Sequence, residues 1–201
     1  MVRNIKSNYT HLVDSLINSK IKVKKIFTPE HGYKGSKPNG ANIDDSVDDQ
    51  TGLEIISLHG KNRKYGEILD SDIKNIDLII FDIQDVGVRF YTHISTLHYV
   101  MKACAKNNIP LIVLDRPNPN IHYVDGPVLN LKNQSFVGMH KVPIVYGMTI
   151  GEYSLMINGE GWLGDNLRCD LSVIKLKNYD RKSTYDLPIK PSPILPTTQS
   201  I

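Results

Sequence analysis

The sequence predicts an α/β domain built on a mostly parallel sheet with helices on both faces. Three observations predict it. Strand, loop and helix patterns alternate at the spacing of βαβ units. The strand candidates are short apolar runs, the kind found where a strand is covered on both sides. Clusters of Asp, His and Arg follow these runs directly, where open parallel sheets carry their ligand sites.

Ile5, Tyr9, Leu12, Val13, Leu16 and Ile17 recur at helical spacing, so residues 4–19 are expected to form an amphipathic helix. Residues 21–27 alternate and are β-rich, giving the first strand, which Thr28-Pro29-Glu30-His31-Gly32 ends. Residues 33–52, with Gly35, Pro38, Gly40 and the acidic run Asp44, Asp45, Asp48 and Asp49, are expected to be a long exposed loop. Further strands are predicted over 53–58, 77–83, 110–114 and 171–176. Residues 91–106 are expected to be a helix with Ile94, Leu97, Val100, Met101 and Cys104 as its inner face, and 149–158 another. Pro188 to Pro196 is a Pro-rich extended or linker segment.

Composition narrows the function classes. A chain of 201 residues with 40% hydrophobic and 22% charged residues suits one globular domain. A net charge of +3 gives no reason to expect nucleic acid as a partner. No apolar run approaches the roughly 20 residues that span a bilayer. The start lacks a signal-peptide core, which as written suggests a cytoplasmic protein. Cys104 and Cys169 stand far apart without CxxC spacing, so neither a zinc site nor a disulfide framework is expected.

The polar clusters converge on one rim. The first strand delivers Glu30 and His31, the third Asp82, Gln84, Asp85 and Arg89, the fourth Asp115, Arg116 and Asn118. Solvating charges would scatter over both ends of the sheet. Each residue also has a structural reading. Glu30 suits a loop cap and His31 a hydrogen-bonded turn. Asp82 suits an ion pair with Arg89 or Arg116, and Asp115-Arg116 a self-satisfied pair at a tight turn. Thr149-Ile150-Gly151-Glu152 matches a capping box, the role favoured for Glu152. His140 in the loop Gly138-Met139-His140 is a candidate ligand contact.

Neither GxGxxG nor a P-loop is present, so no nucleotide cofactor is expected. There is no GxSxG elbow, and no His/Cys cluster has metal-ligand spacing, so no metal is expected. A carboxylate-rich site suits glycosidic cleavage, in which one carboxyl protonates the leaving oxygen and a second supports the nucleophile or the oxocarbenium charge.

These residues also carry a family pattern. Phe27-Thr28-Pro29-Glu30-His31-Gly32-Tyr33-Lys34-Gly35, Phe81 to Thr92 (FDIQDVGVRFYT), Leu114 to Pro119 (LDRPNP) with Gly126-Pro127-Val128-Leu129, Ser135 to His140 and Tyr146 to Glu152 resemble, in order, segments of the DUF1343 family. The similarity runs from about Ile21 to Thr197. Characterised relatives are exo-β-N-acetylmuramidases of the NamZ type, which release N-acetylmuramic acid from non-reducing ends of peptidoglycan fragments. The resemblance implies a Rossmann-like catalytic domain over 1–187, a smaller C-terminal domain beginning in 188–201, and muramyl sugars as partners. It makes Glu30 the acid/base, beside apolar Phe27 and Tyr33, with His31 in the catalytic set. Asp82 or Asp85 would stabilise positive charge or orient water. Arg89, Arg116 or His140 would hold the lactyl carboxylate, and Tyr91, Asp115 and Asn118 would line the sugar site. Relatives have an earlier strand, a longer C-terminal part and Asn where Ile194 stands, and are often exported. The chain is therefore expected to be a piece lacking that strand and the second domain, with a separately encoded C-terminal domain as one candidate partner. A non-catalytic cell-wall-sugar module and an inactive gene remnant are the competing readings.

Overall fold

The computed structural model describes residues 10–33, 43–60, 63, 66–182 and 184–188. The predicted helical positions before residue 10, most of the Gly/Pro-rich part of the 33–52 loop and nearly all of the Pro-rich segment lie outside these residues.

The element order is α1 (Leu12–Asn18), β1 (Lys25–Thr28), β2 (Ser46–Val47), β3 (Glu54–Ser57), β4 (Ile79–Phe81), α2 (His93–Asn107), β5 (Leu111–Leu114), a short 3-10 turn at Leu131–Asn133, α3 (Ile150–Gly159) and β6 (Leu171–Ile174). One sheet has the order β1-β3-β2, the other β4-β5-β6. All neighbours are parallel except β2 and β3. The α/β class and the mostly parallel sheet stand as expected.

Where the boundaries differ, local hydrogen bonds give the reason. β1 starts at Lys25 rather than at residue 21 because the chain is still tied to the end of α1. Lys20 N–H donates to the Ile17 carbonyl at 2.8 Å and Ile21 N–H to the Leu16 carbonyl at 3.0 Å. The loop expected over 33–52 contains the antiparallel strand β2. Its turn is closed by Asp48, whose carboxylate accepts from Thr51 N–H at 3.0 Å and from Thr51 Oγ1 at 2.7 Å. Two residues of strand are too few for a period-2 pattern to register.

β4, α2, β5, α3 and β6 form two consecutive crossover units. α2 and α3 touch, and α3 packs on β5 and β6. The predicted inner face of α2 is buried throughout, and joins Phe81, Leu111, Val113, Tyr153 and Ile157 in the main core. A smaller cluster, Val13, Ile26 and Ile55, seats α1 on β1 and β3. The main core also brings together the two cysteines that the sequence separates. Both are free and buried, and the Cys104 thiol hydrogen-bonds to Cys169. Among the described residues, no helix is long and apolar enough to cross a membrane.

Behind β4 the chain turns sharply at Gly87, whose φ is +81°. A Cβ there would overlap the side-chain amide of Asn118. Gly87→Ala is therefore expected to cost roughly 2–4 kcal/mol, combining a strained left-handed backbone with a displaced buried amide. Urea denaturation, read as a lower midpoint at unchanged slope, checks this.

Candidate active site

The C-terminal ends of two parallel strand pairs, β1 with β3 and β4 with β5, carry the polar residues. β1 runs into the turn 29–33, where His31 and Gly32 both adopt left-handed backbone, φ 76° and 74°. For a histidine this is a sparsely populated conformation, and it sets the side chains of Glu30 and His31 at the strand end. β3 ends two residues before His59, and α2 begins at His93. Charge interactions tie the four together. Burial holds His59 below its ordinary pKa, with the Glu30 carboxylate opposing and His31 reinforcing the shift. Burial pushes the His93 pKa down to about 4, with the same two residues acting on it. His93 is 7% exposed, its Nδ1 has no hydrogen-bond partner, and its ring lies edge-on to Tyr91 at 5.7 Å. Among the described residues these histidines do not form a metal-ligand set with Glu30.

Sequence reasoning missed His59 and His93. Their signal was positional: His59 follows β3 as Asp82 and Asp115 follow β4 and β5, and His93 directly follows the FDIQDVGVRFYT segment.

Asp82 and Arg116 face each other from the ends of β4 and β5. Arg116 Nε donates to Asp82 Oδ1 at 2.6 Å and Nη2 lies 2.5 Å from the same oxygen. Of the two pairings open in the sequence, Arg116 is the partner. Asp82 Oδ2 makes no hydrogen bond among the described residues. At the β1 turn, His11 Nδ1 accepts from Val13 N–H at 3.3 Å and lies 3.2 Å from Tyr33 Oη, and burial lowers its pKa. Burial pushes the Tyr33 hydroxyl up to about 12.

The other candidates hold backbone. Asp85 is buried, and its Oδ2 accepts from Gly87 N–H at 2.8 Å and from the Tyr146 hydroxyl. Burial raises its pKa to about 6. Arg89 Nη1 donates to the carbonyls of Pro127 and Val142, at 2.6 and 2.9 Å, and so clasps two loops. Asp115 accepts from its neighbour Arg116 N–H, from Gly151 N–H and from Thr149 Oγ1, at 3.0, 2.8 and 3.0 Å. It anchors the start of α3 to the end of β5, in place of the expected ion pair with Arg116; burial raises its pKa. Asn118 is buried, donates to the Met148 carbonyl at 2.8 Å, and exchanges backbone bonds with the Tyr179 hydroxyl. Glu152 closes the capping box with Thr149, as expected, and also pairs with Arg181.

His140 is corrected most sharply. It lies inside the core, with Nε2 3.0 Å from His98 Nδ1, Nδ1 3.1 Å from the Tyr153 hydroxyl, and its ring stacked on Trp162 at 4.8 Å. Both ring nitrogens are taken, so it has no hydrogen bond to offer a ligand.

The chain matches the family model described as exo-beta-N-acetylmuramidase NamZ, N-terminal, over residues 2–199. It belongs to that family. Peptidoglycan beta-N-acetylmuramidase NamZ of Bacillus subtilis (strain 168) is 42% identical over 188 residues, 91% of this chain and 44% of the relative. Crystal structures of two DUF1343 family proteins from Bacteroides fragilis NCTC 9343 are also similar. The first has a TM-score of 0.84 at 44% identity, covering 95% of this chain and 49% of that one. For the second the values are 0.77 and 39%, covering 88% and 43%. The chain thus spans less than half the length of each of these relatives.

The NamZ N-terminal fold carries a pH dependence of its own here. Burial lowers the pKa of His98 to about 4 and of His140 to about 3, from an ordinary 6.5. The unfolded chain therefore takes up protons that the folded chain refuses. The stability contribution of these histidines is full above pH 6.5 and is lost as pH falls towards 3. Asp85, raised from 3.8 to about 6, works in the opposite sense over a shorter interval. The urea midpoint is expected to fall between about pH 7 and pH 5. In His140→Gln, which keeps groups able to bond His98 and Tyr153, the fall should be shallower.

Proposed function

We propose that this chain carries the acid/base of a β-N-acetylmuramidase acting on muramyl sugars from peptidoglycan, releasing N-acetylmuramic acid from non-reducing ends. The observation that carries this reading is the placement of Glu30. It sits on a strained turn at a strand end, and its charge acts with that of His31 on the buried His59 and His93. The similarity to the Bacillus muramidase supports the substrate class.

In this reading Glu30 donates its proton to the glycosidic oxygen as the bond to the anomeric carbon breaks. Burial keeps His59 and His93 neutral near pH 7, so they offer hydrogen bonds without competing positive charge. Arg116 holds Asp82 by one oxygen and leaves Oδ2 for an incoming water or for positive charge at the anomeric carbon. Glu30 then recovers a proton from the water that completes hydrolysis.

The test is Glu30→Gln, assayed on a chromogenic β-N-acetylmuramide. Hydrolysis is expected to fall by about 10²–10⁴-fold, the usual weight of a positioned acid/base, with the thermal midpoint unchanged. Unchanged turnover removes Glu30 from the mechanism. Binding of the sugar by the native chain with no hydrolysis favours a sugar-binding module instead.

A further inference from the structure

A muramyl sugar differs from a glucosaminyl sugar by one lactyl ether, whose carboxylate is ionised at neutral pH. The three residues first considered for holding it are engaged. Arg89 is bonded to two carbonyls, Arg116 to Asp82, and His140 is enclosed by His98, Tyr153 and Trp162. Arg63 and Arg181 are likewise paired, with Asp72 and Glu152.

A different positive group is present at the site. α2 runs for 15 residues from His93 to Asn107, with no side-chain cap at Thr92 and no acidic residue in its first turn. Ser95, the remaining polar side chain of that turn able to cap, donates instead to the Phe136 carbonyl at 2.6 Å. α3, by contrast, is capped by Thr149 and Glu152 and also bonded by Asp115. Ser95 and Thr96 N–H both donate to the Thr92 carbonyl, at 3.1 and 2.9 Å, so the amides left at this end are those of His93 and Ile94, where the helix dipole favours an anion.

His93, the first residue of that helix, supplies an independent sign of a ligand. Its side chain is more than nine-tenths buried, yet Nδ1 has no partner. The Glu30 and His31 charges both act on its ring. Thr28 Oγ1, two residues before Glu30, is a second buried polar atom without a partner. Buried polar groups in folded proteins are almost always bonded, so such atoms beside a strand-end site call for an occupant.

We propose that the N-terminus of α2, with the Nδ1–H of His93, seats the carboxylate of the substrate, which in a muramyl sugar is the lactyl carboxylate. The assignment rests on the function proposed above and adds the group that distinguishes muramic acid from glucosamine. Main-chain amides and a neutral imidazole bind the anion without placing a full positive charge beside an anomeric centre that itself becomes positive. An arginine would oppose that charge.

Titration calorimetry of the native chain with N-acetylmuramic acid and with N-acetylglucosamine tests it, repeated on Thr92→Asp. The new carboxylate places a negative charge at the N-terminus of α2 and repels a second anion. The native chain is expected to prefer N-acetylmuramic acid by about tenfold or more, the scale of one charge-assisted hydrogen-bonded contact. Thr92→Asp should lose that preference, bind N-acetylglucosamine as before, and melt at the same or a higher temperature, because a negative charge at a helix N-terminus stabilises the helix. A purely structural role for Thr92 would not combine lost selectivity with gained stability. His93→Phe, which keeps an aromatic ring against Tyr91 without the hydrogen bond, should weaken N-acetylmuramic acid binding alone. If Thr92→Asp and His93→Phe both retain the preference, the carboxylate sits elsewhere and the proposal falls while the muramidase reading stands. If the native chain binds both sugars alike, there is no carboxylate seat, and the muramidase reading is judged by the Glu30→Gln assay.

Discussion

A lattice of side-chain bonds to main-chain groups behind β4 and β5 fixes the segments that carry Asp82 and Arg116. Gln84 Nε2 donates to the carbonyls of Asp85 and Pro117, both at 2.7 Å. Asn120 Nδ2 donates to the Val86 carbonyl at 2.8 Å, and Asn118 Oδ1 accepts from Asn120 N–H at 2.8 Å. The segments after the two strands are irregular and partly buried, so their backbone groups cannot be left to water. Short amide and carboxylate side chains supply the missing partners. Because the lattice spans from the end of one strand to the end of the next, it also holds Asp82 and Arg116 in register with each other.

That constraint explains how much of the site was legible in the sequence. Placement at strand ends was readable: Glu30 and His31 follow β1, Asp82 follows β4 and Arg116 follows β5, as the alternation of apolar runs and polar clusters implied. Division of labour within the rim was not. Asp85, Arg89, Asp115 and Asn118 have the residue types of a binding site, but they bond backbone, and a single sequence does not separate a side chain that binds its own main chain from one that binds a ligand. His140 was misread because a histidine in a polar loop looks solvent-facing. Only the fold shows that its loop turns the ring inward onto Trp162 and Tyr153.

The fold was more readable than the site because its signals are periodic. The inner face of α2 was predicted position by position, and the capping box of α3 was identified from four residues. What escaped was short or long-range. β2 is too brief to have a period, and the start of β1 was shifted by bonds back to α1. His59 and His93, 34 residues apart in numbering, both feel the Glu30 and His31 charges, through packing that no local pattern encodes.

The meeting of Cys104 and Cys169 has a practical consequence. One sits in the last turns of α2 and the other two residues before β6, and both are enclosed in the main core. Its hydrogen bond to Cys169, with burial, raises the Cys104 thiol above its ordinary range, which keeps it protonated. An alkylating reagent reaches these sulfurs only when the helix end and the strand part from each other. The rate of their labelling in native buffer is therefore a clock for breathing of the protein's interior, built in without any engineered probe.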